Sequence, residues 1–170
     1  DGSFVAEFTD FDIWPGDTAE VWYFDANNHQ VGTEFNSLRM DVNYAHNWVE
    51  VRTEPYGAVT VTVMGKAAVH GQADGSGRFG TSDGVWSPAE PDIAPGDAIL
   101  VVAAGETKSV DPVGTIAGAI DLANDTVAGT IQAPGWTGDL RVRCEVWVDD
   151  GPPGITTNAN AAGGAYTCDF

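Results

Sequence analysis

Positive charge is nearly missing from this chain. Seven of its 170 residues are Lys or Arg, against 25 Asp and Glu, which leaves a net charge of −18. Binding to nucleic acid needs a basic stripe that neutralises phosphates, and none is present, so no nucleic-acid partner is expected. An anionic bilayer surface would repel the chain, and no apolar run approaches the roughly 18 residues of a membrane span, so no membrane insertion is expected. The acidity fits a soluble surface protein, a cation binder or a protein from salty water.

Leucine occurs four times, which speaks against a helix bundle. Only three histidines occur, His29, His46 and His70, and none has Cys, His or Glu at a metal-ligand spacing, so they read as exposed loop residues. No serine lies in a G-x-S-x-G turn or beside a histidine, so a nucleophilic triad leaves no footprint. The Gly-rich run "GQADGSGRFG" lacks the following Lys-Ser/Thr and helix of a phosphate cradle and reads as turns. With 25 carboxylates, chance pairs are common, and no glycosidase is read from them. No catalytic residue and no resident cofactor is assigned, and the chain is not expected to be an enzyme. It opens on Asp1 rather than Met, as expected of a processed or trimmed product.

Two cysteines are present, Cys144 and Cys168, both in strand-like sequence. A disulfide between neighbouring strands is expected, and with it an oxidising, extracytoplasmic setting; two buried free thiols are the alternative.

Glycine (21) and proline (9) are plentiful, as are Val, Thr and the aromatics, which suit turns and pleated half-buried surfaces. "DIWPGDTAEVWYFDANNHQV" (12–31) lies in register over "DIAPGDAILVVAAGETKSV" (92–110). In each, Pro-Gly fits a type II turn, an alternating strand follows, and "DANN" or "AGET" turns the chain back. "MDVNYAHNWVEVRTEPYGAVTVTV" (40–63) lies over "AIDLANDTVAGTIQAPGWTGDLRVRC" (119–144). In "AVTVTV", Val59, Val61 and Val63 share one face, and Thr60 and Thr62 the other. A Gly turn plus strand recurs in "DGSFVAEF", "DGSGRFG" and "GGAYTCDF". The stretch "VDDGPPGITTNA" reads as a long, flexible hairpin loop. "VGTIAGAIDLAND" (113–125) reads as strand by its match to the strand around Val42.

The expectation is all-β: two Ig-like antiparallel β-sandwich units of about seven short strands each. Residues 38–113 make a complete unit. Residues 1–36 and 115–170 make a second, in two halves. Three readings of the halves stand: they close within the chain, the chain is a slice of a tandem array, or they complement neighbouring molecules by strand exchange.

The motifs "FTDFDIWPGD", "DLANDTVAGT" and "DGSGRF" followed by "DIAPGD" resemble, in this order, the tandem Ig-like β-sandwich repeats of very large secreted bacterial proteins. The resemblance covers nearly the whole chain. It implies an extracellular, cell-surface structural or adhesive module, a spacer or filament-forming subunit whose partners are copies of itself or neighbouring repeats. It carries no common catalytic residues.

A second reading is a carbohydrate-binding module, in which the loop tryptophans Trp14, Trp86 and Trp136 stack on sugar rings. Trp22, Trp48 and Trp147 lie in strands and are expected in the core. Calcium is weighed at a unit junction, on Asp121, Asn124 and Asp125 and on Asp41 and Asn43, against solvated turn residues.

Overall fold

Alternating apolar residues become antiparallel strands along the chain. The computed structural model describes residues 5–7, 17–135, 138, 140–147 and 154–170. Among them the one helical element is a 3-10 turn at Thr81–Asp83, and every ladder is antiparallel. The protein is therefore all-β with several antiparallel sheets. Two compact units divide it: residues through Ile93 with Ala98–Val110, and Ala94–Asp97 with Asp111–Phe170.

In the first unit, β1 (Thr18–Phe24) and β2 (Gln30–Asn36) form a sheet of their own. β3 (Arg39–Asn43), β4 (Trp48–Arg52) and β7 (Arg78–Gly80) form a three-stranded sheet in the order β3-β4-β7. β5 (Ala58–Val63), β6 (Ala67–Gln72), β8 (Val85–Ser87), β9 (Ile99–Ala103) and β10 (Glu106–Val110) form a five-stranded sheet in the order β10-β9-β5-β6-β8. The period of two decides what lies inside. Val49 and Val51 of β4, Val59, Val61 and Val63 of β5, and Ile99 and Val101 of β9 are all buried. Each such side chain contributes roughly 1.5–3 kcal/mol relative to exposure. The ring of Phe79 on β7 reaches across to β6, filling the space a side chain at Gly71 would need, so the two sheets pack face to face.

The second unit repeats part of this strand order. β11 (Thr115–Asp121), β12 (Thr126–Gln132) and β15 (Ala165–Asp169) form a sheet in the order β11-β12-β15; β13 (Leu140–Val146) and β14 (Ile155–Ala161) form another. So β11, β12 and β15 stand for β3, β4 and β7, and β13 and β14 for β5 and β6. Small details match. The hairpin turns after Asn43 and Asp121 both end on a residue with positive φ, Asn47 (56°) and Asp125 (51°). The Thr53 N–H donates to the Gly77 carbonyl at 2.9 Å, and the Ile131 N–H to the Gly164 carbonyl at 2.7 Å. Phe79 lies opposite Val51, and Tyr166 opposite Gly129.

Two expectations change. Cys144 and Cys168 are bonded, with 6.2 Å between their Cα atoms, but β13 and β15 are not ladder neighbours. The bridge joins two sheets, because both cysteines point into the core that the sheets share. And "ITTNA", expected within a flexible loop, lies in strand β14. Its Thr and Asn residues are weak apolar signals, yet pairing all along β13, from Leu140 opposite Ala161 to Val146 opposite Ile155, makes it strand.

Candidate functional site

The turn motifs are built for shape. In "DGSGR", the Asp74 carboxylate accepts from the Ser76 hydroxyl (2.7 Å), the Ser76 N–H (2.8 Å) and the Arg78 N–H (3.0 Å). These bonds, the Ser76 hydroxyl first, hold its carboxyl below the usual value. A carboxyl with a depressed folded-state pKa stabilises the fold above the unfolded value of about 3.9, and that contribution is lost as pH falls through the folded value. Asp74→Asn is therefore expected to lower the melting temperature most at neutral pH. The difference from wild type should shrink as pH falls through the folded-state value and the carboxyl takes up its proton; thermal melts from neutral to acid pH check it.

The candidate calcium ligands are engaged in the same way. Asp121 accepts from the Asn124 side-chain amide at 2.7 Å and from the Ala123 N–H at 2.9 Å, and these bonds lower its pKa. Asn43 accepts from the His46 N–H, and Asp41 pairs with Arg39 at 2.9 Å. Among the described residues, no group of three or more His, Cys, Asp or Glu gathers as a metal would require. His29 binds Asp25 at 3.0 Å, His70 binds the Thr60 hydroxyl at 2.9 Å, and all three histidines are exposed. Glu50 lies between Arg52 (3.2 Å) and Arg78 (2.7 Å) on the sheet surface, a solvated ion cluster of small energetic weight.

Three tryptophans reverse their expected roles, while Trp48, expected in the core, is partly buried. Trp86 is 9% exposed and belongs to the core, because the short edge strand β8 turns it inward between exposed Val85 and Ser87. It offers no platform to a sugar. Trp14 and Trp136 lie outside the described residues. Trp22 and Trp147, expected inside, are 49% and 69% exposed.

Trp22 belongs to the most distinctive surface of the first unit, the β1–β2 hairpin. Ladder partners share a face, so one face carries Ala19, Val21 and Tyr23 opposite Phe35, Thr33 and Val31. Tyr23 (63%), Val31 (53%) and Phe35 (49%) are exposed there. On the other face, the Trp22 indole lies over Gly32 and donates to Glu20 at 3.1 Å. Sequence reasoning placed Trp22 in the core; the alternation was legible, but not what covers each face.

No protein-family model matches the chain, and no curated protein matches it.

Proposed function

We propose that this chain is an extracellular structural or adhesive module, a spacer or fibre-forming subunit of a bacterial cell-surface or matrix assembly, made of two Ig-like sandwich units. The observation that carries this reading is the repetition of one strand scaffold, β3-β4-β7 with β5-β6, as β11-β12-β15 with β13-β14. Repetition multiplies a shape, and a tether or spacer is made of multiplied shape. The disulfide supports an oxidising compartment. Its position supports a mechanical role, because a bridge between sheets limits how far the second unit extends when pulled. The carbohydrate reading loses Trp86 to the core, and no observation favours it.

Negative-stain microscopy with sedimentation of the purified chain tests the proposal. Linear polymers are expected, lengthening with concentration, together with a blank glycan array. A protein that stays monomeric at high concentration and binds a polysaccharide would overturn the reading.

A further inference from the structure

Resting on that reading, we infer that the β1–β2 hairpin of one copy adds to the open edge of β13 in a second copy, with Val21 opposite Val142.

The template lies within the molecule. In the first unit, the hairpin β9–β10 lies beside β5, and β9 makes the ladder: Ile99 opposite Val63, Val101 opposite Val61, Ala103 opposite Val59. The second unit has β13 in the place of β5. Its sheet holds only β13 and β14 among the described residues, so nothing there fills the place of β9. The hairpin β1–β2 is the sequence counterpart of β9–β10, each following an Asp-Ile-x-Pro-Gly-Asp motif. Its base is tied alike. The Asp17 carbonyl accepts from the Ser37 N–H at 3.2 Å, as the Asp97 carbonyl accepts from the Val113 N–H at 2.7 Å. A hairpin without a sheet and a sheet without its hairpin are thus two parts of one sandwich.

Carrying the β5–β9 register over places Tyr23 opposite Leu140, Val21 opposite Val142 and Ala19 opposite Cys144. These are the residues of the hairpin's apolar face and of the second unit's core. Tyr23 where β9 has Ala103 adds bulk beside Leu140, which is only partly buried.

The outward face matches as well. The same register sets Glu20 opposite Arg143 and Trp22 opposite Arg141. Two of the seven basic residues in the chain thereby meet a carboxylate and an indole face. At the corresponding places in the first unit, Thr62 faces Leu100 and Thr60 faces Val102, with no charge. Each copy offers one hairpin and one edge, so the contact is head-to-tail and propagates as a linear chain.

The test uses the full chain in two separately made variants, Trp22→Cys and Arg141→Cys. Mixed and mildly oxidised, they are expected to give a disulfide-linked dimer. Thr18→Cys mixed with Arg141→Cys, four residues out of register, is expected to give none. Arg141→Glu/Arg143→Glu is expected to weaken association at least about tenfold through like charge at Glu20. Glu20→Arg combined with Arg143→Glu should restore part of it, which a folding defect would not. No dimer from the matched pair would overturn the inference. So would a Trp22→Cys/Arg141→Cys double variant that closes as a linked monomer at every concentration. Filaments without the linked dimer would leave the structural reading standing and overturn this register; the dimer without filaments would do the reverse.

Discussion

Replacing Cys144 and Cys168 with Ala is expected to melt the second unit well before the first. The core there is small: Val142, Cys144, Ala161, Tyr166 and Cys168 are its buried members, with Val127, Ile131, Leu140, Ala159 and Phe170 only partly covered. The first unit buries Val49, Val51, Val61, Val63, Val69 and Val101 completely. A bridge between residues 24 apart in sequence stabilises by roughly 3 kcal/mol through the restriction of the unfolded chain. For a unit of about 60 residues that corresponds to a fall in melting temperature of roughly 12–24 °C. Calorimetry should show two transitions, with only one displaced by the substitution or by a reductant. A single transition displaced as a whole would contradict the independence of the two units. No displacement at all would mean that the apolar cluster suffices without the bridge.

Gly77→Ala is expected to destabilise the first unit by about 2–5 kcal/mol. Gly77 has φ +79°, a left-handed conformation costing an L-residue roughly 1–2 kcal/mol. A methyl group there would also collide with the Thr53 carbonyl oxygen. Relief requires moving Gly77, whose own carbonyl accepts from the Thr53 N–H; Thr53 is buried, and an unmade bond at such a group costs a further ~1–3 kcal/mol. Gly105 separates the two causes. Its φ is +82°, but a methyl group there meets nothing within 4 Å. Gly105→Ala should therefore show the conformational cost alone, roughly 1–2 kcal/mol. Gly164, the counterpart of Gly77, has φ +84° and would place a methyl 2.8 Å from the Ile131 carbonyl oxygen, so its substitution should affect the second unit in the same way. Equal losses at Gly77 and Gly105, measured by denaturant unfolding, would remove the steric argument.

Much of this fold could be read from residues. "AVTVTV" announced a strand with Val59, Val61 and Val63 inside, and they are inside. "VGTIAGAIDLAND" contains strand β11 despite its helix-like composition. The pairing of Cys144 with Cys168 was also legible, since the chain offers no other partner. The candidate surface was not. Trp22 looked like core because it lies in a strand, and Trp86 looked like a platform because "SDGVWSPAEP" reads as a loop. Exposure inverted both, since among the described residues β1 and β2 pair only with each other, while β8 is tucked against β6.

Sequence by itself determined the all-β class, most of the strands and the turns between them, because alternation, Pro-Gly turns and Asp-capped Gly loops act over a few neighbouring residues. Tertiary structure decided which strands share a sheet. It put Cys144 and Cys168 in different sheets, drew "ITTNANA" into a ladder, and left the hairpin Thr18–Asn36 and the strand Leu140–Val146 each without an outer neighbour among the described residues. The reason is physical. A strand's period of two fixes that it has two faces, but its hydrogen-bonding edges carry the same backbone groups in every sequence, so the identity of the neighbour is settled only by what the rest of the molecule brings alongside.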